Sequence, residues 1–193
     1  MSHYFIDDTS VKHNVKTKEV FIKMQQFSFF TDNGVFSKKG LDFGTRTLLE
    51  SLPDDIRGEI LDFGCGYGPI GIYLKKTYPC NVDMIDINDR SIDLAIRNAN
   101  LNKVEVNVFK SDIYENVTKK YDYIITNPPI RVGKETLYKI LFGAKEHLKE
   151  HGKMYLVINK DQGAKSLMKD LEKNYKVELV NKNKGFFIIC AKI

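Results

Sequence analysis

The sequence predicts an α/β fold: a mainly parallel sheet with helices on both faces, behind a short strand-rich N-terminal extension. Three observations predict it. From Glu59 onward, short apolar runs alternate with longer runs whose apolar residues recur at helical spacing. The short runs end in polar or glycine-containing turns, as strands of an open sheet do. The chain has 193 residues, 42% hydrophobic and 28% charged, which suits one domain with a sizeable core. The division expected is an extension over 1–35 and a core over 36–193.

Within the extension, "EVFIKMQQFSFFT" alternates as a strand does, and a turn follows at Asp32-Asn33-Gly34. "GLDFGTRTLLESLP" reads as a short helix stopped by Pro53. "EILDF" is a short apolar strand, and "PIGIYLKKTY" a helix with Pro69 in its first turn. "NVDMIDI" is a strand and "DRSIDLAIRNANL" an amphipathic helix. "VEVNVFK" and "YDYIIT" are strands, and "KETLYKILFGAKEHL" is a helix ending near Gly152. "GKMYLVI" is a strand and "QGAKSLMKDLEKNY" a helix. "KVELVNKNKGFFIICAKI" is a hairpin turning at Asn181–Gly185.

Several classes are disfavoured. The opening residues lack the basic and apolar regions of a signal peptide, and no apolar run approaches the roughly 20 residues of a membrane helix. Cys65, Cys80 and Cys190 have neither disulfide-framework nor zinc-site spacing, and His3, His13, His147 and His151 form no constellation, so no metal is expected. A reducing cytoplasm is the expected setting. Net charge is +5 and pI about 8.9, which permits a polyanionic partner without requiring one. The lysine pairs 38–39, 75–76 and 119–120 and the "NKNKG" stretch read first as solvated surface.

A parallel sheet binds ligands beyond the carboxyl ends of its strands. Those ends carry "DFGCGYG", "DIN", "SDI" and "NPPI", so the four clusters are expected to face one crevice. The first contains two overlapping patterns. Gly66, Gly68 and Gly71 satisfy a dinucleotide fingerprint, with Asp86 about 20 residues on. Asp62, Gly64, Gly66 and Gly68 form D-x-G-x-G-x-G, which resembles motif I of S-adenosylmethionine-dependent methyltransferases. Register favours the second, because the strand runs straight into Gly64. Asp86 would accept ribose hydroxyls, and Asp112 an adenine amino group.

The rigid corner Asn127-Pro128-Pro129 suits one kind of chemistry. A conjugated NH2 is a poor nucleophile because its lone pair is delocalised. The Asn127 side-chain oxygen and the Pro128 carbonyl can accept both of its N–H bonds and draw nitrogen toward tetrahedral geometry. These contacts strengthen as positive charge develops, so they favour the transition state over the ground state.

With "GVFSKKGLDFGTRTLL", "LDFGCGYGPIGI", "MIDIN" and "NPPIRVGK" together, the chain resembles class I methyltransferases of exocyclic amines. It is most similar to the small-domain family that includes small-subunit ribosomal RNA guanine-N2 methyltransferases. The resemblance implies a Rossmann-like seven-stranded sheet with an antiparallel last strand, S-adenosylmethionine as donor, and ribosomal RNA or the small subunit as partner. It places the donor against Asp62, Gly64, Cys65, Gly66, Asp86, Ile87, Asp112, Ile113, Asn127 and Thr45, with Thr45 closing over its amino-acid end. Ile130 stands where such enzymes commonly carry an aromatic, so Phe36 is the candidate to stack on the base, with Arg131 and Lys134 as phosphate contacts. Relatives often have two tandem domains; here the N-terminal strands are expected to cover the site and find the RNA. Adenine N6, a protein glutamine amide, a non-catalytic RNA-binding module and a nicotinamide enzyme remain as alternatives.

Overall fold

The computed structural model describes residues 12–37 and 40–193. Lys38 and Lys39 lie outside the described residues, as does His3. A hairpin of β1 (Lys16–Ile22) and β2 (Gln25–Thr31) precedes helix α1 (Phe43–Ser51). The core then runs β3 (Gly58–Phe63), α2 (Pro69–Thr77), β4 (Cys80–Asp86), α3 (Asp89–Leu101), β5 (Asn107–Lys110) and β6 (Tyr121–Thr126). It closes with α4 (Lys134–Gly143), β7 (Leu148–Asn159), α5 (Ala164–Leu171), β8 (Lys176–Asn183) and β9 (Phe186–Lys192).

The seven-stranded sheet has the order β5-β4-β3-β6-β7-β9-β8. Pairing is parallel from β5 through β7; β9 runs antiparallel to both its neighbours. The chain leaves β3 toward β5, then returns to place β6 on β3's other side, and this reversal opens a crevice at the carboxyl ends. Strand periodicity sends alternate residues into separate cores. Tyr155 and Val157 of β7 join the core shared with α1, α2, α3 and the hairpin; Met154, Leu156 and Ile158 join the core shared with α4 and α5. Burial on both faces is why this strand reads as one continuous apolar run. No helix among the described residues is long and apolar enough to cross a membrane.

Several expected boundaries move. The N-terminal run is two strands, because Lys23 and Met24 form a two-residue turn at φ 43° and 65°. No Gly or Asn marks that turn. The helix expected to end near Gly152 stops at Gly143; a 3-10 turn follows, and β7 already starts at Leu148. The last hairpin turns on Lys184–Gly185 alone, so β8 extends through Asn183. The third strand of the core keeps only Asn107–Lys110 of the expected seven-residue run. His13 pairs with Asp32 at 2.5 Å, and His147 stacks on Tyr114 at 4.4 Å between ring centres.

The free edge of β2 is closed by side chains rather than by another strand. Asn98 of α3 and Asn102, the residue that caps its C-terminus, lie one turn apart. Asn102 accepts from Ser28 N at 3.2 Å and donates to Ser28 O at 2.7 Å. Asn98 accepts from Phe30 N at 2.6 Å and donates to Phe30 O at 2.9 Å. The second N–H of Asn98 goes to Tyr67 O, in the glycine loop, at 2.8 Å. Asn98 is fully buried, so truncation leaves a backbone N–H and two carbonyls without this partner. Asn98→Ala is expected to lower the unfolding free energy in urea by about 3 kcal/mol. The exposed Lys165→Ala should cost nothing measurable, and equal effects of the two would contradict this role for Asn98.

Candidate active site

The four strand-end clusters meet in one cavity of about 450 Å³. Gly64, Cys65 and Gly66 line it from the end of β3, Asp86 and Ile87 from β4, and Ser111, Asp112 and Ile113 from β5. Asn127, Pro128, Pro129, Ile130 and Arg131 line it from β6, with Thr45 and Phe36 from the segment before the core.

The geometry of the glycine loop bears on the two overlapping patterns. Gly64 follows β3 directly and has φ 69°, and Gly66 has φ 56°. Both adopt the left-handed region that glycine enters without steric cost. A Cβ at either would meet no protein atom within 4 Å, so the space beside the loop is open. Gly71 lies inside α2, where a Cβ would come within 2.5 Å of Met84 Sδ; its smallness serves helix-on-sheet packing, not the turn. Gly64, in the first turn position after β3, is the glycine that only the D-x-G-x-G-x-G pattern contains.

Asp62 is corrected as a direct ligand contact. It does not line the cavity; it is wholly buried beneath the loop, and its Oδ2 accepts from Gly71 N at 2.8 Å. Its Oδ1 has no protein partner. Burial, reinforced by the nearby Asp86 charge, pushes its carboxyl up to about 8. Asp86 does line the cavity. Its oxygens accept from Gly66 N at 2.8 Å and Asn88 N at 2.9 Å, which fixes the carboxylate while leaving lone pairs for a ligand. Burial raises its pKa too, partly offset by those donors.

At the corner, Asn127 Nδ2 donates to Thr45 Oγ1 at 3.0 Å and makes a longer contact of 3.5 Å with Asp42 Oδ1. A carboxylate can only accept, so the NH2 end of the amide must face α1. This leaves Asn127 Oδ1 without a partner among the described residues. Asp42 is itself the N-cap of α1, accepting from Thr45 N at 3.1 Å. The same two residues thus start the helix and orient the amide.

Lys134 does not line the cavity; its ammonium lies 5.0 Å from the centre of the Tyr138 ring, so a phosphate contact there would lie outside the cavity. Phe36 lines the cavity and is 40% exposed. Asp42, Phe43, Gln162 and Phe186 also line it and escaped the sequence reading. Asp42 carried a cap signal, three residues before Thr45; Phe186 carried none, since it reaches the cavity only because β9 inserts beside β7.

An open sheet of this order, with one antiparallel strand and a glycine turn after its central strand, defines a Rossmann-like methyltransferase fold. The chain belongs to the methyltransferase small domain family, whose model matches residues 26–190. It is 42% identical to the uncharacterized protein YbxB of Bacillus subtilis over 98% of both chains. It is 34% identical to ribosomal RNA small subunit methyltransferase C of Psychromonas ingrahamii over 169 residues, covering 85% of this chain but 48% of that one. The chain thus spans about half the length of the relatives that carry that name. In structure it resembles a T. thermophilus 16S rRNA N2 G1207 methyltransferase solved with AdoMet and guanosine. The TM-score is 0.83 at 24% identity, over 92% of this chain and 50% of that one.

The raised carboxyl of Asp62 has a measurable consequence. A folded-state pKa above the unfolded value means the native state holds the proton longer, so its contribution to stability falls as pH rises. For Asp62 the fall lies between about 4 and about 8. Asp62→Asn should flatten urea-derived stability across that window relative to the parent chain. Parallel pH profiles for the two proteins would refute the protonated, buried Asp62.

Proposed function

We propose that the protein transfers a methyl group from S-adenosylmethionine to an exocyclic amine, and that this amine is guanine N2 of small-subunit ribosomal RNA. The observation that carries the reading is the oriented Asn127 amide. Its free Oδ1 stands at the end of β6, in the cavity that also holds the open glycine loop and Asp86. Family membership and the relatives named as small-subunit rRNA methyltransferases support the donor and the acceptor.

The residues present suit such a donor. Gly64 and Gly66 leave open space for close backbone approach, and Asp86 is a fixed acceptor for ribose hydroxyls. Ile87 and Ile113 offer apolar surface for a flat ring beside Asp112, whose carboxylate can accept from an adenine amino group. Thr45 and Cys65 complete the lining near the loop. When bound, the donor supplies an electrophilic methyl on a sulfonium.

The chain's own part is to hold and polarise the acceptor. Asn127 Oδ1 and the Pro128 carbonyl accept the amine's two N–H bonds; Pro128 and Pro129 hold the corner rigid. Both acceptors gain strength as nitrogen becomes positive, so the gain falls on the transition state. Thr45 and Asp42 prevent the amide from turning its NH2 toward the amine. Ile130 cannot stack, and the aromatic faces that line the cavity are Phe36, Phe43 and Phe186.

The test is transfer of labelled methyl from S-adenosylmethionine to small-subunit rRNA, naked and as subunits, with the product nucleoside identified by mass. Label is expected in N2-methylguanosine. Asn127→Ala should reduce kcat by a factor on the order of 100 to 1,000 while leaving donor affinity within about twofold. Label in N6-methyladenosine, or in protein after ribonuclease treatment, would move the acceptor; full activity in Asn127→Ala would remove the role of the corner.

A further inference from the structure

We propose that the rim of the cavity formed by Lys160, the Lys184–Gly185 turn and Arg131 holds the sugar–phosphate backbone of single-stranded RNA on either side of the target nucleotide. This rests on the RNA reading above and names the surface that would carry it.

Three of the four described lysines in the pairs 75–76 and 119–120 are occupied elsewhere. Lys75 donates to Cys80 O; Lys76 donates to Gln26 O and covers the Phe27 ring. Lys119 lies 3.1 Å from Asp83. Lys149, Lys173 and Lys192 each meet a carboxylate within 2.8 Å. By contrast, Lys160, Lys184 and Arg131 make no ion pair among the described residues. The acid next to Lys160, Asp161, makes none either. Other cations, such as Lys120, Lys145 and Lys165, make no ion pair among the described residues either; what sets Lys160, Lys184 and Arg131 apart is their place beside the cavity.

The geometry ties these cations to the site. Lys160 N donates to Gly185 O at 2.7 Å, and the Lys160 stem packs 3.6 Å from where a Gly185 Cβ would stand, so the two turns form one ledge. Lys184 Nζ lies 5.2 Å from the centre of the Phe43 ring, and that ring meets Phe186 at 5.7 Å between centres. Both rings line the cavity, and Arg131 lines it from the Asn127 corner. Lys184 has φ 43°, at a turn position that favours Asn, Asp or Gly.

Cations beside half-buried aromatic rings that line a cavity fit an unpaired strand, whose bases have free faces and whose phosphates flank each base. A duplex keeps its bases stacked and would have to give one up to enter this cavity.

The experiment measures binding of a fluorescein-labelled single-stranded RNA oligonucleotide of mixed sequence across a salt series. The proteins are the parent chain, Lys160→Ala/Lys184→Ala, Arg131→Ala and, as control, Lys176→Ala at the end of β8 far from the Lys184–Gly185 turn. Calorimetric binding of S-adenosylmethionine verifies that each variant keeps its fold. The double variant should bind RNA at least about tenfold more weakly at low salt, and the log–log salt slope should fall by about 0.7 per contact removed. Lys176→Ala should change neither. Unchanged affinity and slope in the double variant, failure of the parent chain to bind the oligonucleotide, or preference for duplex RNA would each overturn the assignment. Loss of RNA binding in the rim variants of a protein that methylates no RNA would uphold the rim and overturn the guanine reading instead.

Discussion

Everything at the cavity depends on one loop keeping its shape without a side chain of its own in the way. The chain leaves β3 through Gly64 and enters α2 at Pro69, and the turn between them is pinned from outside. Asp62 holds α2 from beneath, Asp86 holds Gly66 from the side, and Asn98 holds Tyr67 O from above. Cys65 N adds a backbone bond to Ile85 O at 2.8 Å, joining the loop to the neighbouring strand. Glycine surrenders more conformational freedom than any other residue on folding, so such a loop stays put only when its surroundings determine it. The surroundings come from β3 itself and from two distant stretches, β4 and α3, which makes the site a property of the whole fold.

The same economy appears at the corner. Asp42 and Thr45 serve α1 as its cap and serve Asn127 as its orienter. A helix terminus is among the better-determined places in a fold, because its backbone donors demand partners. An amide tied to it inherits that precision. Phe43, between the two, adds a ring to the cavity wall and meets Phe186 from the last strand.

Much of the fold was legible because its signals are local. Apolar runs of the right length gave the strands, and helical spacing gave α3. The convergence of four strand ends followed from topology alone. What escaped was non-local or masked by context. The Lys23–Met24 turn carries no turn residue, and α4 stops at Gly143 although the helical pattern continues. Asp62 reads as a ligand residue in its motif, yet it sits behind the loop and acts on α2. Lys134 follows the corner in sequence, but the first turn of α4 carries it over Tyr138. Phe186 stands 59 residues after Asn127 in chain order and shares a cavity with it only through the order of the strands.

That strand order also governs how the molecule can be made. β9 follows β8 in the chain but lies inside it, between β8 and β7. While a ribosome is still extending the chain, β7 has no neighbour on that side, and β8 has nothing to pair with. An apolar edge from Met154 to Ile158 waits uncovered until Phe186–Lys192 emerges. Sheet closure thus waits for this segment, and the uncovered edge before it is an aggregation hazard of the kind chaperones shield. Phe186 arrives in that same step, so the cavity wall is completed only when the sheet is.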